Sequence, residues 1–572
     1  MKYKNKYLFV VLLISLFVRL INLNKLPVSL FSDEVDVGYQ ALSLLKTGKD
    51  YFGNTLPVSF HSFADFRASF YLYNAVVSVA VFGPNEIGVR FPAFFYGVLG
   101  IVAFYFLSKE LTKNEYFSLL STFILGLTPW HIHYSRAAFE ATSIFFLVTT
   151  GLYLFLASLR KNNYLLFLIS LLSFILGFYT YATARLFLPL LALLLFFLYR
   201  KEIFAFSKKK IIIAIIFSIL LLLPFLKDTV FGGSLQRFSY LNIFSDSNLK
   251  FEINRERLVD TIHNKTQVVG MQTPFFAFVY HSKLLSWIVT MITSYISAFS
   301  FNFLFLSGDP NLRHGIGRVG ELLYICVPFL ILGLSKIISI IREKDSNQIL
   351  SPKNAKLILG FLLLSPLPSI ITYDGGTHAT RLFLMILPLI LIISFGLWDF
   401  LFLFTKNIYK KIALTIGIVL IVINFSYYWH LYVYHYPVES AKYWHYGLKE
   451  GVKEISLIEN KYDKIIFNNN YEQPLIFFLF WKPYDPSKFN ISNLTDVDNN
   501  WFVGKKYDKY YFGKTKSGFE NVLIKENRKV LILSSRLDFG KDMENETPAG
   551  FSILKKIDLP SAGPFLYLLA NE

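Results

Sequence analysis

The sequence predicts a mainly α protein, a polytopic membrane helix bundle of about eleven spans with its N-terminus inside and its C-terminus outside. Interfacial helices are expected on the outer face, and a small extracytoplasmic α/β domain at the C-terminal end. Three observations predict this class. The 572 residues are 54% hydrophobic and 18% aromatic but only 17% charged. Residues 211–226 and 386–404 carry almost no charge over nearly a bilayer's thickness. Lys and Arg cluster in alternate short segments between the apolar runs, as cytoplasmic loops require.

The first apolar run, about 7–23, follows Lys2, Lys4 and Lys6, which places the N-terminus in the cytoplasm. No small-residue cleavage site follows it, so it reads as an uncleaved anchor. Further spans are expected at 86–108, 116–132, 140–159, 164–181, 184–199, 211–227, 320–341, 355–371, 382–404 and 411–430. Cytoplasmic loops then hold Lys109 and Lys113, Arg160 and Lys161, Arg200, Lys201 and Lys208 to Lys210. Later ones hold Arg342, Lys344, Lys353 and Lys356, then Lys406, Lys410 and Lys411. The short outward loops carry only the isolated arginines Arg136, Arg185 and Arg381. Residues 70–82 and 284–306 are apolar too, but counting either alone as a span inverts the basic pattern downstream. Both are therefore expected as interfacial helices on the outer surface.

The chain divides near residue 432. Residues 1–432 form the membrane domain, and 433–572, richer in Asn, Asp and Lys, form the soluble domain. Within the latter, 464–468 and 529–534 read as strands and 474–481 as a helix. The net charge of +18 raises nucleic acid as a partner. The placement of the basic residues in membrane loops accounts for it instead, so no nucleic acid is expected. The single cysteine, Cys326, excludes an internal disulfide or a cysteine-based zinc site.

The strongest chemical signal is the acidic pair Asp33 and Glu34, just outside the first span. Carboxylates so close to lipid are costly unless paired, hydrated or functional, and here they point to chemistry on a lipid-linked substrate. Asp36 follows, then Asp65, and Glu140 comes just after the segment that closes the third span. The bland alternative is that Glu34 or Asp36 caps a short helix through 37–45. On the same side lie Arg67, Arg90, Arg136, Arg185, Arg313 and Arg381, with His314 and His378 beside two of them. Arginine suits phosphate because its planar fork matches the oxygens; each of these also has a reading as a snorkelling interface residue. His131 and His133, two apart, diverge on a helix and do not make a metal pair. No cofactor is required, although a divalent metal bridging carboxylates and phosphate is compatible with such a site. The aromatic cluster from Tyr427 to Tyr446 reads as an interface belt. The sequons at Asn264, Asn490, Asn493 and Asn545 decide nothing.

An ordered set of motifs runs through the first 200 residues: Phe31-Ser-Asp-Glu34, Arg67 ahead of a helix ending in Phe82-Gly-Pro-Asn-Glu86, and Arg90-Phe-Pro-Ala-Phe-Phe-Tyr-Gly97. Pro129-Trp-His-Ile-His-Tyr-Ser-Arg136 and Tyr179-Thr-Tyr-Ala-Thr-Ala-Arg185 follow. In this order and spacing the chain resembles polyprenyl-phosphate-sugar glycosyltransferases of the C-type membrane fold, the group of protein O-mannosyltransferases and lipid A aminoarabinose transferases. The resemblance implies a glycosyltransferase C fold and Asp33 as the catalytic acid residue, with Glu34 beside it. It also implies Arg67 and Arg90 near the donor phosphate. One departure is that the His-Pro-Pro or Lys-Pro-Pro triplet of many relatives is replaced here by Ala64-Asp-Phe-Arg-Ala-Ser-Phe70.

The expected function is inverting transfer of a hexose or pentose from a polyprenyl-phosphate carrier to a protein, lipid or cell-surface glycan at the extracytoplasmic face of the cell membrane. Asp33 and Glu34 are the catalytic candidates. Arg67, Arg90, Arg136, Arg185, Arg313 and Arg381 would bind the donor phosphate, and Asp65, Glu140, His314 and His378 other parts of the substrates. A polymerase or ligase using diphosphate-linked donors shares this shape, and a lipid-linked sugar flippase is a third class. The flippase would need broken or charged mid-membrane helices in repeated halves, which the sequence lacks.

Overall fold

The computed structural model describes residues 2–63, 65–232, 242–263, 273–343, 349–468, 473–526, 528–536, 538, 543, 545–560 and 563–571. Ala64, the Asn264 sequon and Lys344 lie outside the described residues. The chain opens with α1 (Lys2–Leu20), α2 (Ser32–Thr47), a small hairpin of β1 (Ser59–His61) and β2 (Phe66–Ala68), and α3 (Ser69–Phe82). There follow α4 (Glu86–Thr112), α5 (Glu115–Gly126), α6 (Pro129–Tyr134), α7 (Ala141–Lys161), α8 (Tyr164–Phe178), α9 (Ala184–Ile203) and α10 (Lys208–Phe231).

Polar residues between the apolar runs start these helices. Asn85, Asn114, Asn163 and Ser207 accept hydrogen bonds from the first free N–H groups of α4, α5, α8 and α10. Two prolines inside helices are repaired by neighbours. Pro92 cannot bond the Gly88 carbonyl, and Ser78 Oγ donates to it instead, while Tyr71 donates to the Val89 carbonyl at 2.9 Å. At Pro224 in α10, the Tyr179 hydroxyl donates to the Leu221 carbonyl at 2.6 Å and accepts from the Phe225 N–H at 3.2 Å. These repairs tie α3 to α4, and tie the segment leading into α9 to α10.

Among the described residues, seven helices are long and apolar enough to cross a membrane: Glu86–Thr112, Ala141–Lys161, Lys208–Phe231, Lys283–Leu306, Tyr324–Glu343, Ala379–Phe402 and Asn407–Ser440. Two of these cross with their backbones in contact. A Cβ at Gly333 would lie 1.8 Å from the Ile392 carbonyl oxygen, and one at Gly396 would lie 1.9 Å from that of Phe329. Small residues let membrane helices approach in this way.

Three details differ from the sequence-based expectation. Lys283–Leu306, placed on the surface by the charge pattern, has the length and apolarity of a span. The expected span at 116–132 breaks after Gly126, where Pro129 starts a separate short helix. Arg67 sits on β2, paired opposite Phe60, rather than on the helix that follows.

The C-terminal region builds a seven-stranded mixed sheet from β3 (Lys464–Asn468), β4 (Thr495–Asp498), β5 (Phe502–Tyr507), β6 (Tyr510–Thr515), β7 (Val530–Ser535), β8 (Ser552–Leu559) and β9 (Gly563–Ala570). Their order across the sheet is β4-β5-β6-β3-β7-β9-β8, with β3 parallel to both neighbours and the remaining pairs antiparallel. One face encloses its own core around Trp501, Phe519 and Ile532. The other shares a core with α2 and α3 through the apolar helix Pro474–Trp481. The approach is close: a Cβ on Gly38 of α2 would fall 2.3 Å from Phe480 Cε2. Lys449 pairs with Glu86 along the same seam. Gly38→Val is therefore expected to weaken the contact between the two regions by about 1–3 kcal/mol, through overpacking. Limited proteolysis should then separate a C-terminal fragment faster than in the parent chain.

Candidate active site

Asp33 and Glu34 occupy the first turn of α2, where the positive end of the helix dipole favours acids. Neighbours on a helix point about 100° apart, so the two carboxylates part company. Glu34 turns inward and is fully buried. Arg90 grips it with Nε to Oε1 and Nη2 to Oε2, both at 3.0 Å, and the Ala138 N–H donates to Oε1 at 2.8 Å. Arg90, equally buried, also donates to the Leu23 and Pro27 carbonyls at 3.2 and 2.9 Å. The expectation of Glu34 as a catalytic residue and Arg90 as a phosphate ligand is corrected here. The two form a closed ion pair that pins the first loop to α4 and the segment after α6.

Arg136 is corrected likewise. It is buried and donates to the carbonyls of Val18, Arg19, Ile21 and Leu26, which lie at and just beyond the end of α1. It serves the unsatisfied helix terminus and not a ligand. Asp65 sits in the hairpin turn, where Ser62 Oγ bonds both its N–H, at 2.9 Å, and its carbonyl, at 2.8 Å. The Arg313 guanidinium lies 5.4 Å from the Phe31 ring centre, backing a wall residue. Neither Asp65 nor Arg313 is among the residues lining the cavity. His131 accepts from Arg19 at 2.9 Å, and His133 Nε2 lies 2.7 Å from the Arg313 carbonyl, so the two histidines serve different contacts.

Seven of the expected residues do converge. A cavity of about 420 Å³ is lined by Asp33, Arg67, Glu140, Arg185, His314, His378 and Arg381. Phe31, Phe66, Phe139, Leu186 and Ile371 supply apolar wall. Asp33 keeps 43% of its side chain exposed and pairs with Arg67 Nη2 at 2.6 Å. Arg67 Nε reaches Asp36 at 2.9 Å, and Tyr51 donates to the other Asp36 oxygen at 2.6 Å. Asp33 and Asp36 are three apart on α2, one face of the helix, and so clamp one guanidinium between them. Burial raises the Asp36 carboxyl to about 6, against the opposing pull of Arg67 and Tyr51. Burial disfavours the Arg67 cation, but Asp33, Asp36 and Asp65 outweigh it and hold it charged.

A pH dependence follows. Below about 6 Asp36 takes up a proton, Arg67 loses one counter-charge, and the orientation it imposes on Asp33 changes. Activity is expected to fall as pH drops through about 6, and Asp36→Asn should abolish that inflection in the pH–rate profile.

On the facing walls, Arg185 occupies the first turn of α9, its guanidinium 5.0 Å from the Phe225 ring centre. Arg381 is paired with Asp374 and donates to Thr372 Oγ1 at 2.6 Å. Glu140 immediately precedes α7. The His314 and His378 rings stack with centres 4.5 Å apart, and Asp309 Oδ2 lies 3.1 Å from His314 Nδ1. Burial pushes the Asp309 carboxyl up, but the hydrogen bond and charge of His314 outweigh it, leaving it below the usual carboxylate range. Asp36 and Asp309 were not among the expected site residues. Their signals were local: Asp36 stands one helical turn after Asp33, and Asp309 opens the polar turn that ends at His314.

Residues 68–227 match the family model described as dolichyl-phosphate-mannose-protein mannosyltransferase. No curated protein matches the chain in sequence. Among solved structures, ArnT from Cupriavidus metallidurans bound to undecaprenyl phosphate is similar over 100% of this chain and 98% of its own. Identity there is 10% and the TM-score is 0.50, a likeness of fold. The archaeal oligosaccharyltransferase AglB from Archaeoglobus fulgidus, in complex with an inhibitory peptide and a dolichol-phosphate, aligns with 84% of this chain at 12% identity and a TM-score of 0.46. The chain spans 64% of the length of that relative.

Proposed function

We propose that this multi-pass membrane chain, which belongs with the C-type glycosyltransferases, transfers a sugar from a polyprenyl-monophosphate carrier to a hydroxyl-bearing protein, lipid or glycan. The observation that carries this reading is the single cavity in which a half-exposed carboxylate, Asp33, meets three arginines. The acceptor hydroxyl gives its proton to Asp33 as its oxygen attacks the anomeric carbon. The bond from that carbon to the phosphate oxygen breaks, and the electron pair leaves with the lipid phosphate. A single displacement of this kind inverts the anomeric centre, and the sugar can be a hexose or a pentose.

Arg185 is the leading phosphate ligand, because the first N–H groups of α9 add to its charge. Arg67 and Arg381, each held by carboxylates, act on the phosphate by exchanging partners; until then Arg67 orients Asp33. The basic loops expected on the other side support an extracytoplasmic position for the cavity. The test is transfer of radiolabelled sugar by purified protein from defined polyprenyl monophosphate and diphosphate donors. Transfer from the monophosphate alone supports the reading, and transfer from the diphosphate alone refutes it. Arg185→Ala is expected to raise the KM for the donor about ten- to a hundredfold, the loss of one or two charge-assisted hydrogen bonds.

A further inference from the structure

We propose that the acceptor is an oligosaccharide, held by an aromatic strip that leads from the β1–β2 hairpin into the cavity; this rests on the proposed function. The strip begins at Phe66, which lines the cavity beside Arg67. His61 is paired opposite Phe66 in the hairpin, and their rings stack with centres 4.7 Å apart. Phe52 packs on His61 at 4.1 Å, and Phe63 lies 5.9 Å from Phe52. Rings that served only as core would be enclosed. Phe52, His61, Phe63 and Phe66 are each partly exposed.

Three observations favour a sugar chain as the occupant. The rings stand on the loop after α2 and on a two-stranded hairpin, whose open edges cannot face hydrocarbon. The strip therefore meets water and not lipid tails. A pyranose carries positively polarised C–H bonds on a face, which suit the negative face of an aromatic ring, and a rim of hydroxyls. Ring and hydroxyl acceptor stand together here: Phe66 and Asp33 line one cavity, and Asp65 adds a carboxylate at the hairpin turn. The strip is also on the side of the base. Arg67, next to Phe66, pairs with Asp33, whereas Arg185 and Arg381 stand on the facing walls. The acceptor must reach the base and the donor phosphate the facing arginines, so Phe66 is on the acceptor side.

The strip is held in place before any ligand arrives. Gln40 Nε2 donates to the His61 carbonyl at 2.7 Å. Tyr51 packs against Phe52 and Phe63, with ring centres 5.0 and 5.1 Å away, and donates to Asp36 in the clamp on Arg67. Of the four strip residues Phe66 lines the cavity, so the reacting sugar rests there and further units lie along His61, Phe52 and Phe63. A longer acceptor gains contacts that a monosaccharide cannot make.

The test gives the full-length chain a polyprenyl-monophosphate sugar and three kinds of acceptor. These are mono- to tetrasaccharides of glucose, mannose or galactose, peptides containing Ser and Thr, and diacylglycerol. Transfer to the saccharides, with KM falling as they lengthen, is the expected result. Phe66→Leu should raise the saccharide KM about three- to tenfold with the donor KM unchanged, and Phe66→Trp should restore it. Phe52→Ala should raise the KM for the tetrasaccharide and not for the monosaccharide. Phe275→Ala, which removes a ring 82% exposed elsewhere on the chain, should change neither. Transfer to peptides or diacylglycerol alone overturns the inference and leaves the transfer reaction standing. So do saccharide KM values indifferent to length and to Phe66. Transfer to none of the acceptors overturns the proposed function and the inference with it. Should Phe66→Leu fail to fold, saturation-transfer NMR of the parent chain with the tetrasaccharide decides. Saturation passing from aromatic protons to sugar C–H protons supports the strip, and its absence refutes it.

Discussion

Asp33→Asn is expected to reduce sugar transfer by about 10²- to 10⁴-fold, the range for losing a general base. The carboxamide is nearly isosteric and still accepts a hydrogen bond from Arg67, so the cavity keeps its shape. It cannot accept the proton of the acceptor hydroxyl. Polyprenyl-phosphate binding, measured by fluorescence or calorimetry, should change by less than about threefold, well short of a tenfold effect at 1.4 kcal/mol. A variant that transfers sugar at the parent rate removes Asp33 from the reaction. One that loses donor binding and turnover together assigns it to the phosphate site.

Arg90→Ala is expected to destabilise the chain by about 3–5 kcal/mol, because it strands the Glu34 carboxylate without its counter-charge in a fully buried position. Thermal unfolding in detergent should show a large downward shift before any kinetic effect is considered. Glu34→Gln, which keeps an acceptor for Arg90 and for the Ala138 N–H, should cost clearly less. The contrast with Asp33 is the informative part. Adjacent carboxylates on one helical turn should separate, one failing in chemistry with folding intact and the other failing in folding. Equal stability of Arg90→Ala and the parent chain would contradict the structural role given to the pair.

Much of this architecture was legible in the residues themselves. The apolar runs, their basic flanks and the change of composition near residue 432 predicted a helical membrane bundle followed by an α/β region. The strand Lys464–Asn468 and the helix Pro474–Trp481 form where residue pattern predicted them. Lys283–Leu306, expected on the surface from the loop charges, also has the length and apolarity of a span. Of the candidate site residues, those lining the cavity and those buried elsewhere look alike in sequence. Arg90 and Arg136 are arginines near the ends of apolar segments just as Arg185 and Arg381 are. Asp36, one turn beyond Asp33, shares its helix face and its partner Arg67, whereas the adjacent Glu34 does not.

Residue chemistry alone predicted a membrane chain whose carboxylates and guanidinium groups suit a lipid-linked phosphate. Hydrophobic length, charge alternation and side-chain type are local properties and survive without a fold. Which guanidinium meets which carboxylate was settled by packing. The 100° step between Asp33 and Glu34 sends one toward a cavity and the other toward Arg90, and loops far apart in the chain bring Asp309, His314 and His378 together. Position then divides the arginines: Arg90 and Arg136 are enclosed by carbonyls and a carboxylate that tie the bundle together, whereas Arg67, Arg185 and Arg381 line the cavity.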